Sequence, residues 1–277
     1  MSVFRRFFGF YINASIHVAL GVVSLSMVSV ERLNISLNLD LLGFLFCSTI
    51  ACYNFVKYGV EAEKYLIVAR PAHKPIQVFS FLALGFAFFF FFKLESTLWW
   101  CIGFLTTISG LYAIPFLPRS KNLRSLGGLK IFLVALVWTG FTLVLPAIDN
   151  GLDTFQILFP EAVQRYLLVL VLILPFEIRD LKYDHKALKT LPQRFGVYGT
   201  KRIGYALITI YVVLEFFREE LSTTSLAFLV LLAVVLVLAI TNSQKEQAKY
   251  YASFWVEGIP ILWAFSIAVL KWCFSSP

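Results

Sequence analysis

Long apolar segments alternate with short polar ones along almost the whole chain, and each apolar segment could cross about 30 Å of hydrocarbon as a helix. The pattern predicts nine such spans, at residues 10–30, 39–57, 77–93, 97–117, 129–148, 161–178, 200–217, 223–241 and 254–273. Only residues 93–96 separate the third span from the fourth, which predicts a tight hairpin. We therefore expect an all-α polytopic membrane protein that forms one domain over residues 1–277.

The composition excludes an ordinary soluble domain. Of the 277 residues, 59% are hydrophobic and 14% are charged, whereas soluble domains are about half apolar and a quarter charged. The net charge of +8 could suit nucleic acid, but no aromatic-basic surface module is present, so no nucleic-acid partner is expected. The four cysteines lie in or beside apolar segments and are interpreted as small core residues; they are Cys47, Cys52, Cys101 and Cys273.

The basic residues are distributed unevenly between alternate connections of the predicted spans. One set of connections holds 19 of the 24 Lys and Arg residues, and the richer set normally faces the cytoplasm. This bias predicts a protein of the bacterial inner or cell membrane, with the N-terminus in the cytoplasm and the C-terminus outside. The connections after spans two, four, six and eight, which hold nearly every candidate site residue, would then be cytoplasmic.

Charges of both signs gather directly after the sixth span. Asp180 and Asp184 are four residues apart, so on a helix they would share one face. Such a carboxylate pair can hold Mg²⁺ and leave coordination positions for water and substrate phosphate. The cations around the pair would suit phosphate oxygens; they are Arg179, Lys182, Lys186, Lys189 and Arg194. The alternative is a solvated cytoplasmic loop whose charges only anchor topology.

The same stretch carries a family resemblance. Ile178-Arg-Asp-(x3)-Asp184, followed by Lys189-Thr-Leu-Pro-(x3)-Gly196, resembles the second aspartate-rich motif of the UbiA superfamily of intramembrane prenyltransferases. The first motif of that family is matched only by Asn54 and by Arg70-Pro71. Where the family has carboxylates, this chain has Phe55, Tyr58 and Ala62. Glu61 or Glu63 could substitute after a shift of register, or could be solvated loop charges, and Lys57 is close enough to reach a phosphate.

Two further places extend the resemblance. Tyr112-Ala-Ile-Pro115 resembles a Tyr-x-x-Pro segment of the family, although Tyr112 could equally belong to the interfacial aromatic belt. Lys130 lies where the fifth span begins, and a lysine gains nothing from the dipole at a helix N-terminus, so an anionic ligand would explain it. Glu257-Gly258 resembles an Asp-Gly pair of the family, but Glu257 could instead pair with Lys249.

The resemblance implies nine helices around a central cavity that opens to the cytoplasmic side. It implies a Mg²⁺-dependent transfer of an isoprenoid group from a prenyl diphosphate to a lipophilic, often aromatic acceptor, within the class of transferases of alkyl groups other than methyl. Asp180, Asp184 and Glu61 would hold the metal, with Asp180, Asp184 and Lys130 as catalytic residues. The expected substrate-binding residues are Arg179, Lys189, Asn54, Lys57, Tyr112 and Glu257.

Two other functions remain open from the sequence. The chain could be a non-catalytic relative that binds isoprenoid lipid or has a structural role, because the first carboxylate motif is degenerate. It could also be a small transporter, but transporter sites lie near the membrane midplane, whereas the charges here cluster at one end of the spans. Within the first span, Asn13 and His17 would share a helix face, and a single helix–helix hydrogen bond would account for both.

Overall fold

A computed structural model describes residues 3–60, 74–113, 128–152, 154–184, 188–217 and 223–274. These residues form helices and short connections, and no β-strand occurs among them. The predicted all-α class is therefore confirmed.

The helices follow the predicted apolar segments, with three short π-helical segments in the described part of the chain. The helices are α1 Val3–Asn13, α2 Ile16–Leu33, α3 Leu39–Asn54, α4 Lys74–Phe91, α5 Ser96–Ala113, α6 Lys130–Thr139, α7 Leu145–Asp149, α8 Phe155–Asp180, α9 Leu191–Glu215, α10 Thr223–Thr241 and α11 Ile259–Phe274. The π-helical segments are Phe55–Val60, Gly140–Val144 and Tyr251–Val256. Segments of this kind often occur at functional sites.

Six helical segments in the described residues are long and apolar enough to cross a membrane. They are Ile16–Leu33, Leu39–Tyr58, Lys74–Phe91, Lys130–Asp149, Phe155–Asp180 and Tyr251–Val269. Two apolar segments are shorter, Ser96–Leu111 and Leu226–Thr241, and α9 carries several charges along its length. The length and composition of these helices indicate an integral membrane protein. The count of nine spans remains a prediction.

The chain divides into two compact units. The first consists of residues 1–107, 141–152 and 260–277, and the second of residues 108–140 and 153–259. In the first unit α3 packs between α2 and α4, where Ala19, Ile50 and Ala83 are buried together. Small side chains allow close approach of helices where no hydrophobic effect drives their association.

In the second unit α8 contacts α6, α9 and α10. Most apolar positions in its second half are buried, among them Leu168, Leu174 and Ile178. Gly204 of α9 faces Leu174 and Ile240 so closely that an added Cβ would lie 3.1 Å from each of them. The end of α8 that carries the predicted site is therefore held by tight packing on three sides.

The first predicted span is wrong in one respect, because the structure divides it. α1 ends at Asn13 and α2 begins at Ile16, and between them Ser15 adopts a left-handed conformation with φ 59°, which disrupts regular helical hydrogen bonding. Asn13 and His17 therefore do not share a helix face. His17 is buried and its Nδ1 lies 2.6 Å from the Tyr11 hydroxyl.

Contacts within the first unit bring together several of the connections that hold few Lys and Arg residues. Lys93 forms an ion pair with Asp40 at 3.3 Å, and Lys271 forms one with Glu31. The Ser36 backbone N–H donates to Asn150 Oδ1 at 2.9 Å. These contacts bring together connections that the charge distribution assigns to one side of the membrane.

Candidate functional site

A small recess in the second unit lies where α6 begins, α8 ends and α9 begins. Its lining residues are Gly128, Lys130, Ile131, Glu177, Asp184, Leu188, Thr190 and Leu191. The enclosed part has room for about one water molecule, and the rest is open. Two of the predicted catalytic residues, Lys130 and Asp184, therefore line one recess together with two residues that were not predicted, Glu177 and Thr190.

The spacing of the two predicted metal ligands follows from how α8 ends. Asp180 is the last residue of the helix, yet its carbonyl accepts from the backbone N–H groups of both Tyr183 and Asp184, each at 2.8 Å. The bond to Asp184 has the i to i+4 spacing of an α-helix. Asp180 and Asp184 are thus separated by one helical turn, as their spacing predicts.

The carboxylate of Asp180 is already engaged by its neighbour. Arg179 donates from Nε to Asp180 Oδ1 at 2.7 Å and from Nη2 to Oδ2 at 3.2 Å. A bidentate guanidinium–carboxylate pair of this kind is charge-assisted and directional. The Arg179 guanidinium also stacks 5.0 Å from the centre of the Phe176 ring. A ligand at Asp180 would therefore have to share or displace Arg179.

Lys130 has an anionic partner within the protein. Its Nζ lies 2.9 Å from Glu177 Oε1. The Glu177 side chain is only 2% exposed and that of Lys130 is 19% exposed, so the pair is largely withdrawn from water. Within the described residues the anion beside Lys130 is the Glu177 side chain, and the anionic ligand that the sequence suggests for Lys130 stays a prediction. The sequence analysis did not identify Glu177 as a site residue, because it lies at the end of an apolar run. The one feature that could have indicated it is its position three residues before Asp180.

The Thr-Leu-Pro and glycine elements of the second motif have a structural role at the start of α9. Thr190 precedes the helix in a capping-box arrangement with Gln193, whose Oε1 accepts from the Thr190 backbone N–H at 3.3 Å. The Thr190 hydroxyl is buried where it lines the recess. Gly196 has φ 68° and ψ 174°, a conformation that is essentially restricted to glycine.

The two cations that flank Thr190 differ in their surroundings. Lys189 is exposed and has a left-handed backbone with φ 44°. Arg194 lies near the loop before α6, since its guanidinium carbon would be 3.9 Å from a Cβ added to Gly128. Lys189 and Arg194 therefore lie at the same end of the second unit as the recess, while Lys186 lies outside the described residues.

Asn54, the one matched residue of the first motif that the structure describes, belongs to the first unit, where it supports the break between α1 and α2. Asn54 is buried; its Oδ1 accepts from Ser15 Oγ at 2.8 Å, and its Nδ2 donates to the Ala14 carbonyl at 3.1 Å and to Ser80 Oγ at 2.9 Å. Both N–H groups of its amide are thus used within the protein.

Two neighbours of Asn54 support the same break. The Tyr58 hydroxyl donates to the Asn13 carbonyl at 2.9 Å, and Lys57 Nζ donates to the same carbonyl at 3.4 Å. At the position of Tyr58, the UbiA superfamily that the first motif resembles has a carboxylate. In this protein the Tyr58 hydroxyl binds a backbone carbonyl. Glu61, Glu63, Arg70 and Pro71 lie outside the described residues.

The last two predicted site residues are placed only in part. Tyr112 belongs to α5, and its side chain lies outside the described part of the structure. Glu257 follows the π-helical segment Tyr251–Val256. It is half-buried, and its backbone N–H donates to the Ala252 carbonyl at 3.1 Å. This segment packs against α8 in the second unit.

A buried polar cluster links α8 to α9, and the sequence did not predict it. Gln164 Nε2 donates to Glu215 Oε2 at 2.8 Å and to the Tyr211 carbonyl at 3.2 Å, and Glu161 and Arg165 are buried nearby in sequence. The sixth span is predicted to begin at residue 161, but α8 begins earlier, at Phe155. Glu161 and Arg165 therefore lie one turn apart within the helix.

The residues at the recess are of a kind that suits a hard divalent cation. Glu177 and Asp184 offer carboxylate oxygens and Thr190 a hydroxyl, and Mg²⁺ commonly takes one or two carboxylates and completes its coordination with water and phosphate. No group of three His, Cys, Asp or Glu residues is placed to hold a metal within the described ranges. A cation here would therefore depend on water or a ligand for most of its coordination.

No family model, curated protein or solved structure matches this chain.

Proposed function

We propose that this protein is a membrane prenyltransferase of the UbiA type, which transfers an isoprenoid group from a prenyl diphosphate to a lipophilic, often aromatic acceptor. The observation that supports the proposal is the recess of the second unit, where Lys130, Glu177 and Asp184 meet beside Arg179 and Asp180. Carboxylates and a cation from the end of α8, joined with a cation from the start of α6 at the end of apolar helices, suit the binding of a metal diphosphate.

The proposed cofactor is Mg²⁺. Asp184 and Asp180 would hold it, and the orientation of Glu177 towards the recess adds a further carboxylate to that side. When bound, the ion would neutralise the diphosphate and make it a better leaving group.

The basic side chains would bind the diphosphate oxygens. Lys130 Nζ would leave Glu177 and bind a phosphate oxygen. The Arg179 guanidinium would leave Asp180 and bind another phosphate oxygen. Lys189, which is exposed at the start of α9, would complete the set without losing an internal partner. Each exchange replaces one ion pair by another, so the cations need not become unpaired in a partly buried environment.

The reaction would proceed by cleavage of the bond between the allylic carbon and the diphosphate oxygen. The diphosphate leaves with the electron pair, a carbon of the acceptor bonds to the allylic carbon, and the acceptor releases a proton. Aromatic faces can stabilise the cation-like allylic group by cation–π contact. Tyr112 and Glu257, both of the second unit, would contact the substrate, with the acceptor and prenyl chain among apolar helix faces open to membrane lipid.

A second candidate function is a non-catalytic protein that binds isoprenoid lipid. One observation favours it. Asn54 and Tyr58, which occupy positions of the first motif, are used to hold the break between α1 and α2. Such a protein would bind the diphosphate through the second unit and would not turn it over.

The decisive experiment is binding of geranylgeranyl diphosphate by the purified protein in detergent, in Mg²⁺ and in excess EDTA. We expect binding in Mg²⁺ that is lost in EDTA and weakened at least tenfold in Asp180→Asn and Asp184→Asn. Asp40→Asn is the matched control, because Asp40 is an exposed carboxylate paired with Lys93 at the start of α3. If the parent protein does not bind, or if all three variants bind equally, the proposed site is wrong.

Turnover separates the two candidate functions. A prenyltransferase would release diphosphate when aromatic acceptors are supplied, and the release would depend on Asp184. Binding without release over a broad panel of acceptors would favour the non-catalytic candidate.

A further inference from the structure

α1 is strongly amphipathic. At 100° per residue, the positions of Val3, Phe4, Phe7, Phe8 and Tyr11 fall on one side of the helix. Val3 is 71% exposed, Phe4 77% and Phe7 73%, and the rings of Phe4 and Phe8 stack with their centres 6.4 Å apart. Val3, Phe4 and Phe7 are therefore uncovered among the described residues, and Phe8 and Tyr11 on the same side of α1 are half-buried.

The opposite side of α1 carries the polar residues. Arg5, Arg6, Gly9 and Asn13 fall within about a third of the helix circumference, and both arginines are exposed. No acidic residue occurs in α1. An exposed aromatic face opposite a basic face is the pattern of a helix that lies in the surface of a membrane.

The structure prevents α1 from continuing into α2. Ser15 is left-handed, and the carbonyls that the break exposes are bound by side chains. Asn13 O accepts from Tyr58 and Lys57, and Ala14 O accepts from Asn54. These carbonyls thus receive hydrogen bonds from Asn54, at the end of α3, and from Lys57 and Tyr58, in the π-helical segment that follows it. The break is therefore maintained by side chains and is not a local irregularity.

Length also separates the two helices. α2 alone has 18 residues and is about 27 Å long at 1.5 Å per residue, which nearly matches a hydrocarbon core of about 30 Å. The 11 residues of α1 would add about 16 Å. One continuous span would carry Arg5 and Arg6 well beyond the hydrocarbon, whereas an in-plane α1 keeps both at headgroup level.

From these observations we propose that α1 lies in the plane of the membrane surface and binds anionic phospholipid headgroups. Val3, Phe4, Phe7, Phe8 and Tyr11 insert between the lipid chains, and Arg5 and Arg6 contact the phosphates. The residues Asn54, Lys57 and Tyr58 fix the angle at which α1 leaves the membrane-spanning part. This inference does not depend on the proposed prenyl transfer.

Spin labels placed singly along residues 3–11 test the orientation. The four native cysteines are replaced, the protein is incorporated into nanodiscs that contain phosphatidylglycerol, and collision with oxygen and with a water-soluble nickel complex gives the depth of each label. We expect depth to oscillate with a period of about 3.6 residues, deep at 4, 7, 8 and 11 and shallow at 5, 6 and 9. A label at Leu231, an exposed position of α10, provides the hydrocarbon reference.

Two results would overturn the orientation. Depth that increases steadily from residue 3 to residue 11 would mean that α1 is the beginning of a span. Labels that contact only the water-soluble reagent would mean that α1 lies outside the lipid.

The preference for anionic lipid has its own test. A label at position 7 reports the ratio of membrane-bound to unbound α1 from its spectrum. We expect this ratio to fall roughly fivefold for each of Arg5→Gln and Arg6→Gln in phosphatidylglycerol, and to be nearly unaffected by them in phosphatidylcholine. The control variant, Lys245→Gln with Lys249→Gln, changes basic residues away from α1 and should leave the ratio unchanged. Equal ratios in both lipids for the parent protein would refute the anionic preference.

Discussion

The ion pair between Lys130 and Glu177 joins the start of α6 to the end of α8 within the second unit. Removing one member of such a pair leaves the other charge poorly solvated, whereas removing both leaves none. The pair therefore serves two roles in the proposed protein, since it holds two helices together and keeps a lysine beside the recess. These roles can be separated by measuring stability and binding on the same variants.

A double-mutant cycle measures the structural role. We expect Lys130→Met and Glu177→Gln each to lower the free energy of unfolding in detergent by about 3 kcal/mol, and the double variant to lose less than the sum. Asp40→Asn and Lys93→Met form the matched control cycle. That pair is exposed on both sides, so its coupling should be below about 1 kcal/mol. Additive losses at Lys130 and Glu177 would show that the pair is not coupled.

Gly196 provides a prediction on backbone conformation. Its φ and ψ values lie where a side chain is strained, so we expect Gly196→Ala to destabilise the protein by about 1–3 kcal/mol. Gly103→Ala is the control, because Gly103 lies in α5 with open space around its Cα and alanine favours a helix. Thermal unfolding of the two variants should give a lower midpoint for the first and an equal or higher one for the second. Equal midpoints would mean that the backbone at position 196 does not adopt the conformation that strains a side chain.

At the scale of helices, hydrophobic patterning placed most elements correctly and failed where hydrogen bonds decide. The predicted span 10–30 corresponds to α1 and α2, because Ser15, Asn54 and Tyr58 create and satisfy a break that hydropathy does not register. Likewise, α8 extends to Phe155 because Glu161 and Arg165 are buried within it. Polar residues at the edge of an apolar run can belong to a loop or to a satisfied helix, and the pattern alone does not distinguish these cases.

The break between α1 and α2 gives the prediction at this scale. Tyr58→Phe removes one donor to the Asn13 carbonyl and should lower the free energy of unfolding by about 1 kcal/mol. Asn54→Ala should cost more, because Ser15, Ala14 and Ser80 each lose a partner. Tyr183→Phe, at an exposed position after α8, is the control with the same chemical change. If Tyr58→Phe has no larger effect than Tyr183→Phe, the hydroxyl does not hold the break.

For the whole molecule, composition established the membrane environment and the resemblance indicated where chemistry should lie. The second motif and Lys130 do meet at one recess of the second unit, which their separation in sequence could not establish. Asp184 could be singled out by its spacing of four residues from Asp180, and Lys130 by its position at a helix N-terminus. Glu177 and Thr190 could not be singled out, because one is hidden in an apolar run and the other resembles an ordinary helix cap.

Topology connects the recess to the proposed substrate and can be measured directly. Single cysteines at Ser36 and Lys245, in a cysteine-free background expressed in a bacterium, are labelled with an impermeant maleimide before and after the membrane is opened. We expect Ser36→Cys to react in intact cells, because its connection joins those of Asn150, Glu31 and Lys271 at the end that is poor in basic residues. Lys245→Cys, in a connection of the basic-rich set, should react only after opening.

The reverse pattern would have a specific consequence. It would place the connections after spans two, four, six and eight outside the cell, and the carboxylates of the recess with them. A prenyl diphosphate is multiply charged and does not cross a lipid bilayer unaided, so a cytoplasmic pool of it could not reach Asp184 or Lys130. Reversed labelling would therefore contradict the proposed function, while α1 could still bind anionic lipid on the opposite surface. Agreement with the expected pattern would leave the release of diphosphate in the presence of acceptor as the measurement that decides between enzyme and binding protein.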